Sequence, residues 1–279
     1  MKTIGLIDLY LDEWHAEMYP GWIEQATNGK MKVAYGYGKI DKPGGVSNAQ
    51  FCVEKNIQLL DSIEEIVEKS DYLIVLAPDH PEYHEELSQL PLRSGKPTYV
   101  DKTFAPDRQT AFRMFELARK HGTPLCSSSA LRFASEYDEA DRSGIASIAG
   151  TGPGRFDNYS IHQIEPIVSL MESPPTRVMY IGTPNFPALL IEFAGGKQAT
   201  IHHFGGDCPF GMTIGYTAGK TKQIQVKSDF FISFIERLVA FFGTGQPIAP
   251  EAETIAIISI IEFGLKAADT PFMWVKLPS

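Results

Sequence analysis

Short runs of apolar, strand-forming residues recur through the first half of the chain. Each is followed by a segment of helical character, and that alternation dictates a parallel sheet with crossover helices. Residues 4–7, 32–35, 72–77 and 98–100 read as buried strands, with Leu125-Cys126-Ser127-Ser128 as the next. Between them, Asp61-Ser62-Ile63-Glu64 has the form of a capping box opening a short helix. The segment from Pro106 to Lys120 has proline near its start and Gly122 just past its end, the usual asymmetry of a helix. The expected product is a Rossmann-like α/β domain over residues 1–127, a doubly wound parallel sheet of the dinucleotide-binding type.

Residues 128–279 change character. Residues 188–193 and 198–204 flank Gly195-Gly196-Lys197, and residues 213–217 and 223–227 flank Ala218-Gly219-Lys220, so two antiparallel hairpins are expected. Apolar residues then recur at helical spacing in Phe230, Phe231, Phe234, Ile235, Leu238, Phe241 and Phe242, and a second helix over 251–268 follows Pro250. These elements predict an α+β substrate and oligomerisation domain with an open, mainly antiparallel sheet. Ala188, Leu189, Leu190, Ile191 and Ile201 make that sheet apolar. Such a surface must be buried against helices on one side and a second subunit on the other, so a homodimer or higher homo-oligomer is expected.

The formal charge of −9 and the lack of any Lys/Arg cluster leave no footprint for nucleic acid or an anionic membrane. Cys52, Cys126 and Cys208 are odd in number and widely spaced, which predicts reduced thiols rather than a disulfide framework. The opening apolar run is short and followed by acids, and the run 255–263 is broken by Ser259 and Glu262; neither has the form of a signal peptide or a membrane span. A cytoplasmic protein with a small-molecule partner is expected.

The stretch from Gly5 to His15 has the strand, turn and helix layout at which open parallel sheets bind ligands. Where such a turn holds a dinucleotide, three glycines let the backbone approach the pyrophosphate; here those positions are Asp8, Tyr10 and Glu13. Two acids and a bulky ring repel and obstruct a diphosphate, so weak binding or a displaced pyrophosphate is expected. The ribose-binding acid after the second strand is also missing, since Tyr35-Gly36-Tyr37-Gly38-Lys39 stands there. Lys39 and Lys42 beside Gly44-Gly45 read either as a 2′-phosphate site or as a solvated loop.

Two residues carry the best clue to chemistry. Lys102 closes the run 97–101, and His162 has Asn158 four residues before it and Glu165 three after, all on one helix face. An amine and an imidazole converging in one cleft between the domains would form an acid/base pair for a small hydroxylated or carbonyl compound. Other constellations are weaker. His80 and His84 are separated by Pro81, and His202 and His203 are adjacent on a strand and face opposite ways, so no metal site is expected. Ser127-Ser128-Ser129 has no neighbour in sequence that would activate it.

The order of these residues resembles the Gfo/Idh/MocA family, typified by glucose-fructose oxidoreductase and inositol dehydrogenase. The segment from Ser94 to Phe104 is similar to the family's strand ending in glutamate, lysine and proline, with Lys102 at its catalytic lysine. Ala130-Leu131-Arg132-Phe133 resembles its arginine-phenylalanine step, Asn158 to Glu165 its histidine helix, and residues 243–247 its late glycine-proline stretch. The resemblance implies an NAD(P)-dependent oxidoreductase acting on a sugar, polyol or related molecule. Asp8, Tyr10, Glu13, Pro78, Asp101 and Arg132 would stand at cofactor-lining positions, and Lys102, His162 and Asn158 at catalytic ones. Lys102 would polarise the substrate oxygen and His162 move the hydroxyl proton. The chain departs from the pattern in several places: Asp101-Lys102-Thr103 replaces glutamate-lysine-proline, and Asn158 stands at an aspartate position and cannot relay a proton. The alternative is a catalytically silent member that binds a small ligand or a protein partner without a dinucleotide.

Overall fold

Five strands of the first sheet form where the alternation predicts them, and a sixth, the two-residue edge strand Gln58–Leu59, was not expected. In the computed structural model, which describes residues 1–278, six strands pair in parallel: β1 (Lys2–Asp8), β2 (Met31–Gly38), β3 (Gln58–Leu59), β4 (Tyr72–Val75), β5 (Thr98–Val100) and β6 (Leu125–Cys126). Their order is β3-β2-β1-β4-β5-β6, so the order in which successive strands are added reverses between β1 and β4. The carboxyl ends of those strands border the crevice in which this topology takes ligands. Helices α1 (Trp14–Ala26), α2 (Asn48–Lys55), α3 (Ile63–Lys69), α4 (His84–Ser88) and α5 (Arg108–Lys120) make the crossovers. Ile4, Leu6 and Ile7 on β1 and Leu73, Ile74 and Val75 on β4 are fully buried, because helices cover both faces of a parallel sheet. Gly5 allows α3 to close on β1: a Cβ there would lie 2.4 Å from Ile66 Cγ2.

The helix boundaries follow their caps. Ser62, one residue later than the expected box over 61–64, caps α3: its Oγ accepts from Glu65 N at 3.2 Å, while Glu65 Oε2 accepts from Asp61 N, the residue before the cap, at 3.2 Å. Asp107 opens α5 by accepting from Thr110 N at 2.8 Å.

The second sheet has seven strands in the order β12-β11-β7-β10-β9-β8-β13. Its elements are a short helix α6 (Ser135–Asp138), then β7 (Ile145–Gly152), α7 (Phe156–Met171), β8 (Pro175–Tyr180), β9 (Ala188–Phe193), β10 (Gln198–His203), β11 (Gly211–Tyr216) and β12 (Thr221–Gln225). Helices α8 (Phe230–Thr244) and α9 (Glu251–Ala267) and strand β13 (Trp274–Lys276) complete the chain. Both expected hairpins are present, β9 with β10 and β11 with β12. The two are joined by β7, parallel to β10 and antiparallel to β11, a central strand that the weak alternation of 145–152 does not announce. Ile161, Ile164, Ile167, Val168 and Met171 of α7 pack in one core with Leu189, Ile191, Ile201 and Ile214 of the sheet.

The chain divides into two compact units. The first comprises Met1–Ser128 and Phe234–Glu251; the second comprises Ser129–Ser233 and the described residues from Ala252 onward. The segment 234–251, expected from sequence order to stay with the second half, packs in the first unit because its aromatics match that core. Phe234 lies 5.9 Å from Tyr19 and 5.5 Å from Tyr99, and Phe242 stacks on Tyr72 at 5.0 Å.

Candidate active site

In the first unit the turn between β1 and α1 is closed by the chain's own side chains. Glu13 stands at the N-cap of α1 with extended backbone. Its Oε2 accepts from His15 N at 2.8 Å and lies 3.0 Å from His15 Nδ1, while Oε1 accepts from Ala16 N. Asn48 Oδ1 accepts from Leu11 N at 2.9 Å, and its amide nitrogen donates to Ile40 O at 2.8 Å. Gly38 makes room for that side chain, since a Cβ there would fall 2.3 Å from Asn48 Oδ1. Asp8 Oδ1 accepts from Leu9 N at 2.7 Å and from Ala77 N at 3.0 Å. Ala77 is a buried non-glycine residue at φ 72°, a left-handed conformation that its bond to Asp8 helps to hold.

Asp8 is fully buried and its Oδ2 has no hydrogen-bond partner. Burial first, and the Glu13 charge second, hold its carboxyl well above the usual carboxylate range. Tyr10 meets His80 at 3.3 Å through its hydroxyl. Lys39 donates to both oxygens of Glu86 at 2.6 Å, and Lys42 to Asp12 O at 2.7 Å.

Beside this turn, at the end of β5, lie Asp101 and Lys102. Both are buried, and Asp101 Oδ2 has no hydrogen-bond partner. Tyr99 Oη lies 2.8 Å from Asp101 Oδ1 and 2.9 Å from Ser128 O. Burial, followed by the Asp101 charge, pushes the Tyr19 and Tyr99 phenols well above their ordinary value. Lys102 Nζ donates to Pro78 O at 3.1 Å and lies 3.7 Å from the Asp79 carboxylate. The amine is therefore aimed at the loop after β4, with 10% of its side chain exposed.

In the second unit His162 projects from the second turn of α7. Its Nδ1 is 2.7 Å from Ser129 Oγ, and Ser129 Oγ accepts from Leu131 N at 3.3 Å. The rings of Tyr159 and Phe210 flank it edge-on at 5.2 and 5.8 Å. Glu165 does share the helix face, but it accepts from Ser129 N at 2.6 Å and lies 3.7 Å from Arg132 Nη1. Arg132 also meets Glu253 at 2.6 Å, so it is an ion-pair centre between two carboxylates. The serine run expected to be idle thus supplies Ser129, fully buried, as the group that fixes the imidazole. That contact joins residues 33 positions apart, a pairing no local sequence signal encodes.

Among the described residues there is no cluster of three metal-ligating side chains. His84 is buried between the carbonyls of Phe104 and Ala77 at 3.1 Å each, and His203 Nδ1 lies 3.1 Å from Pro153 O.

A dinucleotide of the kind this topology takes would need the turn amides as donors to its pyrophosphate. Here the amides of Leu9, Leu11, His15 and Ala16 are bonded to Asp8, Asn48 and Glu13, and a carboxylate already stands at the helix start. The residues present do not fit that group on this turn.

No protein-family model matches the chain, and a search of curated proteins finds no match. Solved structures do match over the whole length. The chain is similar to scyllo-inositol dehydrogenase from Lactobacillus casei, solved with bound NAD(H) and scyllo-inositol (TM-score 0.81, 14% identity, all of both chains). It is similar to myo-inositol 2-dehydrogenase from Lactobacillus plantarum (0.79, 12%, 99% of each chain) and to UDP-N-acetylglucosamine 3-dehydrogenase from Acidithiobacillus ferrooxidans (0.75, 12%, 97% of each chain). At these identities the likeness establishes the two-domain fold.

Proposed function

We propose that this chain is a divergent oxidoreductase-type enzyme that acts on a sugar, polyol or related hydroxylated or carbonyl compound through Lys102 and His162. The observation that carries the reading is the fixed imidazole: Ser129 holds Nδ1 at 2.7 Å, and Glu165 and Arg132 in turn hold the Ser129 segment. Lys102, an ammonium with little exposed surface, polarises the substrate oxygen, and His162 moves the hydroxyl proton. Three solved proteins of the same fold are named as dehydrogenases of inositols and of a sugar nucleotide, which supports the substrate class. Lys102 and His162 account for the substrate oxygen and the proton only; the hydride of an oxidised alcohol would pass to a separate two-electron acceptor, whose pyrophosphate, if it is a dinucleotide, would lie off the self-capped β1–α1 turn.

A second reading, favoured by Glu13 at the N-cap, is a protein that takes the same class of ligand without redox chemistry. Melting shifts with myo-inositol, scyllo-inositol, glucose and fructose test the shared part, since a ligand at a hundredfold its Kd stabilises by about 2.7 kcal/mol. A shift abolished in both Lys102→Met and His162→Gln supports the site; no shift with any of the four removes it. Turnover with an added electron acceptor then separates the enzyme from the binder.

A further inference from the structure

His203, at the end of β10, is a buried titratable group with no part in the reading above. Its Nδ1 lies 3.1 Å from Pro153 O, and a carbonyl only accepts, so Nδ1 is the donor and carries the single ring hydrogen of the neutral form. Nε2 is then a bare acceptor. It is buried with no hydrogen-bond partner among the described residues, and Phe156 meets the ring edge-on at 5.8 Å. A proton on Nε2 would put a charged donor where nothing accepts it, at the desolvation cost of an unpaired buried group.

What the ring holds is the connection between β7 and α7. Gly154, next to Pro153, has φ 80°, a conformation that favours glycine. A Cβ there would lie 2.3 Å from Tyr159 Cγ and 2.7 Å from both Cδ carbons, so the Tyr159 ring lies face-down on this residue. Tyr159 N donates to Arg155 O at 2.8 Å in the first turn of α7, and the ring stands edge-on to His162 at 5.2 Å. The path from His203 to His162 therefore runs through Pro153, Gly154 and Tyr159, all in the second unit.

The titratable groups around the ring come from three elements. His202 precedes it on β10; Asp157, which accepts from Arg155 Nε at 3.0 Å, stands in the first turn of α7; and Tyr180 on β8 meets Phe156 edge-on at 5.8 Å. Burial first lowers the His203 pKa; the Pro153 and Gly154 backbone opposes it, His202 adds to the lowering, and Asp157 opposes. The unfolded chain takes the proton first, so the stability this group contributes is lost as pH falls from the ordinary histidine value towards the folded one.

We propose that His203 is a positioning residue for His162 and an acid-sensitive latch: neutral, it ties down the β7–α7 connection; protonated, it releases that connection and with it the Tyr159 ring beside His162. Only the consequence for a bound ligand rests on the reading of His162 given above.

The test is a pH titration of the full-length 15N-labelled protein, read by long-range proton–nitrogen NMR of the histidines and by backbone amide shifts. The neutral ring of His203 should carry its hydrogen on Nδ1 and titrate below the ordinary histidine value. The amides of Gly154, Arg155 and Tyr159 should move with the same midpoint while those of β1 stay still. His203→Asn keeps an N–H donor that cannot titrate and should hold those amides in place across the range, whereas His203→Phe should put them near their acid positions already at neutral pH. Hydrogen on Nε2 in the neutral form, amides of 154–159 indifferent to the His203 titration, an acid step that persists in His203→Asn, or loss of the β1 signals in the same step would each overturn the latch. Melting shifts with myo-inositol and scyllo-inositol on either side of the midpoint separate the two claims. Shifts that vanish at the lower pH, yet persist there in His203→Asn, support the coupling to His162; shifts indifferent to pH overturn His203 as a positioning residue. No shift at either pH removes the reading of His162, and the amide titration still decides the latch.

Discussion

Replacing Glu13 by alanine removes three interactions at once: the bonds from His15 N and Ala16 N and the contact with the His15 ring. Loss of an N-cap costs about 0.5–2 kcal/mol. A hydrogen bond to a charged group contributes about 1.5–3 kcal/mol, and relief of the repulsion with Asp8 offsets part of it. The net expectation for Glu13→Ala is a destabilisation of about 2–3 kcal/mol. In a domain of this size that lowers Tm by roughly 4–12 °C, at about 2–4 °C per kcal/mol. Glu13→Gln keeps one accepting oxygen and should lose about half as much. Urea unfolding at neutral pH, with the midpoint and slope fitted together, measures both. A loss below about 0.5 kcal/mol in Glu13→Ala would show that the carboxylate does not hold the start of α1, and the reading of the turn as self-capped would fall.

Other outcomes follow from the same contacts. The Asp8 pKa is raised in the folded state, so the unfolded chain releases its proton first. Stability is therefore lost as pH rises from the unfolded value of about 3.9 towards the folded one, by up to about 1.4 kcal/mol per pH unit; urea midpoints across that range should flatten in Asp8→Asn, and unchanged curves would contradict this. Arg132→Met takes the cation from between Glu165 and Glu253 and should cost about 3 kcal/mol or more in the same assay, whereas a neutral result would make the pair dispensable. Ser129→Ala should destabilise by about 1 kcal/mol and weaken any polyol-induced melting shift, because His162 loses its anchor; an intact shift would free His162 of that dependence. Light scattering at micromolar concentration is expected to give a homodimer, and a monomer would remove the proposed role of the second sheet.

Five strands of the first unit's sheet were legible as short apolar runs with a turn or cap beside them, and Ser62 and Asp107 act as their types predict; β3, the two-residue Gln58–Leu59, carries no such run and was not. The hairpins β9–β10 and β11–β12 were legible for the same reason. β7 was not, since Ser147, Gly150 and Gly152 dilute its alternation and its partners lie about 50 residues or more away in sequence. The departure from glycine at Asp8 and Glu13 was visible in the sequence, but its consequence was only half visible. Repulsion of a diphosphate follows from charge alone. That Glu13 would satisfy the helix amides, and that Asn48 would take Leu11 N, depends on folded geometry. Ser129 carries no sequence signal of its role, because its partner His162 is brought to it by α7 folding onto the segment, not by spacing.

The amides of the β1–α1 turn are bonded to the protein's own side chains, and a dinucleotide is therefore expected to bind weakly or with its pyrophosphate displaced from this turn. Calorimetric titration of the purified protein with NAD⁺, NADH, NADP⁺ and NADPH tests it most directly, with backbone amide shifts of residues 9–16 followed in parallel. The prediction is affinity no tighter than about 1 mM and unmoved amides, with tightening only when Asp8→Gly, Tyr10→Gly and Glu13→Gly are combined. Submicromolar binding that shifts the amides of Leu9, Leu11, His15 and Ala16 in the unmodified protein would contradict it.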